Sequence, residues 1–182
     1  MLMKRVSARA APSGISLEDI TVPALICASW SDHGMHTRGS FEGFKQIPST
    51  QKWVYTHGQP KWDVYYSDEA KAVQTAFFDH FLKGEENGFD QRPSVRLEVR
   101  ETRSDYSVRY EDDWPLASTV ATPLYLASDG RLDDASFASA QSETYAAREG
   151  AVGFRKTFAE DTEMTGNMKL RLWVEAEGAK DM

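Results

Sequence analysis

The sequence predicts an α/β segment followed by an all-β segment. Residues 19–90 alternate short apolar runs, rich in β-branched side chains, with stretches of helical period. From residue 93 onward the helical period is lost, and apolar residues alternate with charged ones between turn sequences. We therefore predict a strand-helix-strand-helix core over 19–90 and a β domain over 91–182, preceded by a poorly ordered lead-in over 1–18.

Two apolar runs in the α/β segment are predicted to be neighbouring parallel strands. Residues 20–29 form a continuous apolar run, which is the pattern of a strand buried on both faces of a sheet. Residues 53–56 form the second, shorter run. Cys27, the single cysteine of the chain, lies inside the first run, and we expect its thiol to be buried and inert.

Each predicted strand is followed by a predicted helix. Between residues 36 and 47 apolar side chains recur at helical spacing. Gly39 and Gly43 lie one turn apart there, and we expect them to let this helix approach its neighbour closely. A second helix follows Ser67, a good N-cap residue, and ends at Gly84, a typical C-terminal stop.

The all-β segment is predicted to contain several strands separated by turn residues. These strands are 95–99, 122–127, 153–159 and 168–176. Trp114 and Trp173 also lie in this segment, and we expect both to be core residues because large aromatic side chains dominate protein cores.

The composition is that of an ordinary globular protein and excludes several classes of function. The chain has 182 residues, of which 41% are hydrophobic and 27% charged, and its net charge is -7. An acidic chain lacks the basic surface that nucleic-acid binding requires. No apolar run is long enough to span a membrane, and the N-terminus lacks the apolar core of a secretory signal. We expect no nucleic-acid partner, no membrane partner and a cytoplasmic location.

Asp32 and His57 follow the ends of the two predicted parallel strands. The carboxyl ends of parallel neighbours meet at one edge of the sheet, where open α/β sheets hold their active sites. A carboxylate there can accept the proton of one imidazole nitrogen and orient the ring, so that the other nitrogen acts as a general base. Acid before histidine is also the chain order of α/β-hydrolases, so Asp32 and His57 are candidates for these catalytic roles, with ordinary surface polar residues as the alternative.

The serine nucleophile that such a pair would serve is absent from the sequence. No Gly-x-Ser-x-Gly motif, which carries the nucleophile of α/β-hydrolases, is present. The serines that precede the acid are Ser7, Ser13, Ser16, Ser29 and Ser31. None of them lies on a strand-to-helix turn flanked by suitable glycines, so we interpret them as lead-in, strand and loop residues.

Several ordered blocks of the sequence carry a resemblance to a known family. They are ITVPAL (20–25), SWSD (29–32), HTRGSFEGF (36–44), KWVYTHG (52–58), FFDHFLKG (77–84), VRLEVR (95–100), WPL (114–116) and TGNMKLRLWV (165–174). These blocks resemble the X-Pro dipeptidyl-peptidase / cocaine esterase (CocE/NonD) family of serine hydrolases. The resemblance covers roughly residues 20–182.

This resemblance implies part of an α/β-hydrolase core followed by part of a jelly-roll-like β-sandwich. It also implies that Asp32 is the acid and His57 the base of a triad that cleaves a small ester, amide or peptide substrate. The reaction would pass through an acyl-serine intermediate and would need no metal or cofactor. The family's nucleophile and oxyanion-hole tyrosine belong upstream of the residues present. We therefore expect a fragment of a serine hydrolase that is inactive alone.

Two other interpretations stay open. Asp32, His33, His36 and His57 could together supply metal ligands, although their spacing follows no established pattern. The β segment could instead be a non-catalytic binding or interaction module. A bound metal in elemental analysis would favour the first, and ligand binding that survives deletion of residues 1–90 would favour the second.

A two-strand parallel unit leaves sheet edges and apolar helix faces uncovered. We therefore expect the isolated chain to be marginally stable and to oligomerise or aggregate through its exposed sheet edges. A monodisperse monomer with a cooperative melt would contradict this expectation.

Overall fold

The computed structural model describes residues 16–32, 36–146 and 148–178, so residues 1–15 of the predicted lead-in and His33 lie outside the described residues. The strands are β1 (Ala24–Ser29), β2 (Lys52–His57), β3 (Val95–Arg100), β4 (Tyr106–Glu111), β5 (Tyr125–Leu126) and β6 (Leu132–Asp133). The α-helices are α1 (Thr37–Gln46), α2 (Lys61–Tyr65) and α3 (Asp68–Lys83). Single 3-10 turns occupy Leu17–Asp19 and Phe89–Gln91.

Strands β1 to β4 form one mixed sheet in the order of the chain. β1 pairs with β2 and β2 with β3 in parallel, whereas β4 lies antiparallel to β3. The register of the first pair runs from Ala24 opposite Lys52 to Ser29 opposite His57, so both strands end at the same level. The predicted strand-helix-strand-helix order with parallel neighbours is confirmed.

Helices cover both faces of this sheet. The cluster on the α1 face consists of Ala28, Phe41, Phe44, Val54, Val95, Leu97, Trp114 and Leu116. The cluster that includes α3 consists of Trp53, Phe77 and Phe89. Because side chains alternate along a strand, the adjacent residues Trp53 and Val54 of β2 enter different clusters and fix which face of the strand meets which helix. The expectation that Trp114 is a core residue is confirmed.

Strand β1 is less buried than its sequence predicted. β1 has β2 as its one strand neighbour among the described residues, so it forms an edge of the sheet. Three of its six residues are half-buried, and Cys27 is exposed, so the expectation of a buried thiol is wrong. An apolar run indicates that a strand can be buried on both faces. It does not indicate how many strands lie beside it in the sheet. Desolvation still raises the pKa of the Cys27 thiol, which disfavours the reactive thiolate.

The two predicted helices are present, and a third was missed. The Ser67 side chain accepts from the N–H of Ala70 at the start of α3, and Gly84 ends this helix in the left-handed region. In α1, by contrast, a Cβ added at Gly39 or Gly43 would meet no atom within 4 Å, so the expected close approach at these glycines is wrong. The five-residue helix α2 lies between β2 and Ser67, where no helix was predicted. No helix of the described residues is long and apolar enough to cross a membrane.

The structure divides into two compact units, residues 1–117 and 118–182. The first unit therefore contains β3 and β4 in addition to the predicted α/β segment, and the proposed domain boundary between residues 90 and 91 stays a prediction.

In the second unit, β5 and β6 form a two-stranded antiparallel sheet. The predicted strand 122–127 shrinks to Tyr125–Leu126, and the described residues of 153–159 and 168–176 form no strand apart from an isolated bridge at Arg155. Alternation marks a side-chain pattern, but a strand also needs a neighbour for its backbone N–H and C=O groups. Trp173 is 88% exposed, so the expectation that it is a core residue is wrong.

Candidate functional site

The ends of β1 and β2 bring Asp32 and His57 to the same cleft. His57 is the last residue of β2 and lies opposite Ser29, the last residue of β1. The backbone N–H of Trp30 donates to the carbonyl of His57 at 2.7 Å, which ties the loop after β1 to the end of β2. Asp32 follows in that loop and lines, with His57, a cleft of about 220 Å³. The sequence predicted this convergence from the strand ends alone.

The His57 ring is held by the backbone of the loop that follows it. Its Nδ1 lies 3.1 Å from the carbonyl oxygen of Gln59. Because a carbonyl can only accept, Nδ1 carries the proton and Nε2 of the neutral ring is left as a proton acceptor. Burial lowers the pKa of His57, the bond to Gln59 opposes this effect, and the charge of Arg96 adds to it. The ring is 7% exposed and neutral near pH 7, the form that a general base requires.

Asp32 has other partners in this structure. Its Oδ2 lies 3.2 Å from Nζ of Lys61 and 3.8 Å from Nε2 of His36. Within the described residues, no hydrogen bond or ion pair joins the Asp32 carboxylate to the His57 ring. Asp32 and His57 therefore share a cleft while each side chain is held by a different group, and their catalytic roles stay a prediction.

Helix α2 forms one wall of the cleft with aromatic side chains. Trp62 and Tyr65 line the cleft, and both are largely exposed because this helix buries none of its residues. The Lys61 ammonium lies 5.8 Å from the centre of the Trp62 ring. The cleft thus combines an apolar wall with a small number of polar groups, which is the usual make-up of a small-molecule site.

Sequence reasoning missed Gln59 and Lys61 as partners of the predicted pair. Gln59 acts through its backbone carbonyl, so its side chain gives no signal for this role. Lys61 is the first residue of α2, directly after Pro60, and sequence reasoning missed its position because no helix was predicted there. The nearness of Lys61 to His57 in the sequence was the one available indication.

Glu98 on β3 carries a buried carboxyl group. This group lies against Gly58, the residue that follows His57. Glu98 is 4% exposed, and its carbonyl accepts a hydrogen bond from the Trp30 indole N–H at 2.9 Å. Burial raises the pKa of Glu98, while the Gly58 N–H and the charges of Arg100 and Arg96 oppose this rise. Its Oε1 has no hydrogen-bond partner in the described part of the chain.

A side chain at Gly58 would collide with the side chains of Glu98 and Arg100. A Cβ at Gly58 would lie 2.6 Å from Oε1 of Glu98 and 2.6 Å from Cδ and Nε of Arg100. We expect Gly58→Ala to lower the free energy of unfolding by about 2 kcal/mol, because a buried side chain must move. The matched control is Gly39→Ala in α1, which has open space and should raise stability by about 0.5 kcal/mol. Equal urea midpoints for Gly58→Ala and the parent chain would contradict the crowding.

The buried carboxyl of Glu98 should make stability depend on pH. Its pKa in the folded chain is raised above the ordinary value of 4.5, so the folded state binds more protons than the unfolded state just above pH 4.5. The free energy of unfolding therefore falls as pH rises from 4.5 through the raised pKa of Glu98. Above that pKa the full destabilisation from the buried charge is present. We expect Glu98→Gln to be more stable than the parent at pH 8, and this gain to vanish at pH 4. Urea unfolding at both pH values measures it, and a gain that is the same at pH 4 and pH 8 would refute this assignment.

The geometry gives little support to a metal site. Among the described residues, no group of three histidine, cysteine, aspartate or glutamate side chains is arranged to hold a metal ion. Asp32 and His36 approach each other, but His33, another of the four residues considered from the sequence, lies outside the described residues.

Comparison with known proteins identifies relatives for both parts of the chain. Residues 87–182 match the family described as the X-Pro dipeptidyl-peptidase C-terminal non-catalytic domain. The cocaine esterase of Rhodococcus sp. (strain MB1 Bresler) is 34% identical over 127 residues, a match that covers 63% of this chain and 22% of the esterase. Asp32 and His57 precede residue 87, so they lie outside the part that matches a non-catalytic domain.

The solved structures agree with this result. Two crystal structures of a CocE/NonD family hydrolase from Staphylococcus aureus match at TM-scores of 0.65 and 0.66, with 43% and 42% identity. They cover 68% and 69% of this chain, more than residues 87–182 alone, so the likeness extends into the α/β segment. This chain spans less than a quarter of the length of each of these relatives. Because the family match covers more than half of the chain, the chain belongs to the family described as the X-Pro dipeptidyl-peptidase C-terminal non-catalytic domain.

Proposed function

We propose that this chain is the carboxyl-side part of a serine hydrolase that cleaves a small ester or amide. In the complete active site His57 is the general base, and Asp32 orients its ring. The observation that carries this proposal is that both side chains line one cleft at the carboxyl ends of two adjacent parallel strands. The relatives named as a cocaine esterase and a CocE/NonD hydrolase support it.

In this proposal His57 removes the proton of a serine hydroxyl as the oxygen attacks the substrate carbonyl, and it later gives the proton to the leaving group. The Nε2 atom performs both transfers, because Nδ1 is occupied as a donor. The serine must come from polypeptide outside these 182 residues, because the sequence has no Gly-x-Ser-x-Gly motif. A fluorophosphonate probe should therefore leave the isolated chain unlabelled.

A chimera tests the proposal. The segment of the Rhodococcus cocaine esterase that aligns with this chain is replaced by the matching residues of this chain, so that the esterase supplies the serine. We expect the chimera to hydrolyse p-nitrophenyl esters and to react with a fluorophosphonate probe at its serine. A chimera that unfolds cooperatively but neither hydrolyses esters nor reacts with the probe would refute the hydrolase assignment.

We further propose that residues 91–182 form part of a jelly-roll-like sandwich, that the unpaired edge of β1 promotes self-association, and that the protein is cytoplasmic. The family match over 87–182 supports the first of these, and the position of β1 at the edge of the described sheet supports the second. The cytoplasmic location rests on the single cysteine, which cannot form a disulfide within the chain. Sedimentation of the isolated chain tests self-association, and a monodisperse monomer would refute it.

A further inference from the structure

The loop after β2 supplies partners to both the predicted acid and the predicted base. The carbonyl of Gln59 lies 3.1 Å from Nδ1 of His57. Two residues later, Nζ of Lys61 lies 3.2 Å from Oδ2 of Asp32. One short segment therefore supplies a partner to each of the two predicted catalytic groups.

We propose that Lys61 is a positioning residue that holds the Asp32 carboxylate away from His57, and that Asp32 turns to the Nδ1 proton when this ammonium is withdrawn. This inference rests on the proposed function, since it assigns a regulating contact to the same predicted pair. It assigns no contact with substrate to Lys61.

The distances make this exchange a local one. Asp32 already lies in the loop tied to the end of β2, and its backbone N–H is 3.3 Å from the carbonyl of Ser29, which is opposite His57 in the sheet. The exchange therefore involves two side chains whose strand ends the sheet already holds side by side.

The present partners of His57 and Asp32 explain why Lys61 determines whether these two side chains bond to each other. The Gln59 carbonyl is a neutral acceptor, whereas a free Asp32 carboxylate would make a stronger, charge-assisted bond to the same ring N–H. Asp32 does not take that position here because its charge is satisfied by Lys61. Both members of this ion pair are partly exposed, with side-chain exposures of 49% for Lys61 and 27% for Asp32, so the ammonium can move into solvent without a change in the fold.

The titration of His57 in the 182-residue chain reports the exchange directly. An Asp32 carboxylate that reaches the ring raises its pKa, whereas the Gln59 carbonyl has a smaller effect. The other charged groups that face the two cavities lined by His57 are His36, Asp63, Glu69, Arg96 and Glu98. None of them is altered in the variants, so a difference between variants comes from Lys61 and Asp32.

The experiment is an NMR titration of the His57 ring in four variants. We expect Lys61→Met to raise the His57 pKa by about one pH unit, and Lys61→Arg, which keeps the cation, to leave it unchanged. The double variant Lys61→Met with Asp32→Asn should return it to within half a pH unit of the parent value. Lys71→Met, which removes the partner of Asp68 on α3 outside the cleft, controls for general loss of positive charge.

A rise of half a pH unit or less in Lys61→Met would overturn the inference. So would an undiminished rise in the double variant, since the effect would then come from the lost lysine charge and not from Asp32. If Lys61→Met does not unfold cooperatively, Lys61→Gln takes its place with the same expectations. The chimera tests the hydrolase function in a separate assay, so failure of one proposal is distinguishable from failure of the other.

Discussion

Replacing His57 by glutamine in the esterase chimera is expected to lower kcat/KM by about a thousandfold or more. The imidazole performs both proton transfers of an acyl-serine mechanism, and the glutamine amide can perform neither. Glutamine can still donate toward the Gln59 carbonyl, so the loop after β2 keeps a partner. The loss should therefore appear in kcat, with KM changing little.

The control for this prediction is His80→Gln in α3. The His80 ring also bonds to a backbone carbonyl, that of Glu85, but His80 does not line the cleft. We expect His80→Gln to retain the activity of the chimera. A His57→Gln chimera with more than a tenth of the parent activity would show that another group is the base.

Asp32→Asn in the same chimera distinguishes the roles of acid and base. An amide in place of the carboxylate cannot stabilise the imidazolium and can favour the wrong ring tautomer, which lowers kcat strongly in serine hydrolases. If Lys61 holds Asp32 in the chimera as it does here, part of this loss is already present in the parent. Asp32→Asn should then cost less than His57→Gln, and the two losses should not add.

The sequence predicted the placement of this site better than its contacts. Strand ends follow from apolar runs, and parallel neighbours must end at one edge, so Asp32 and His57 could be brought together by counting alone. Which atoms they contact depends on torsions in the loop at 58–61, where one backbone carbonyl and one lysine take the two positions. Side-chain patterns carry no information on backbone acceptors, so Gln59 could not have been predicted.

Strands were predicted well where neighbours are present and poorly where they are not. β2 lies between β1 and β3, and five of its six residues are buried. β1 and the region 168–176 have similar apolar content, but the first has a single neighbour and the second has none among the described residues. The burial of a strand depends on the neighbours it has in the assembled sheet. The apolar pattern of a segment therefore gives only the greatest burial that the segment can reach. The glycines of α1 illustrate the same point, since their spacing was suggestive while their surroundings are open.

The largest effect on stability is expected from Phe44→Ala, which should lower the free energy of unfolding by about 3 to 5 kcal/mol. Phe44 lies on α1 and is 1% exposed, in the cluster that joins this helix to Val54 of β2 and Leu97 of β3. Alanine leaves a cavity there that the surrounding strands cannot close without distorting the sheet. Urea unfolding followed by tryptophan fluorescence measures the change.

Phe78→Ala on α3 is the matched control, because the same atoms are removed from a side chain that is 51% exposed. It should cost about 1 kcal/mol or less, since little of the lost surface was buried. The contrast also bears on the site, because the carbonyl of Asp32 accepts the N–H of Thr37 at the start of α1. A loosened α1 should therefore disturb Asp32 before it disturbs His57, whose strand is covered on both faces. If Phe78→Ala proved as destabilising as Phe44→Ala, α1 would not be the helix that secures this edge of the sheet.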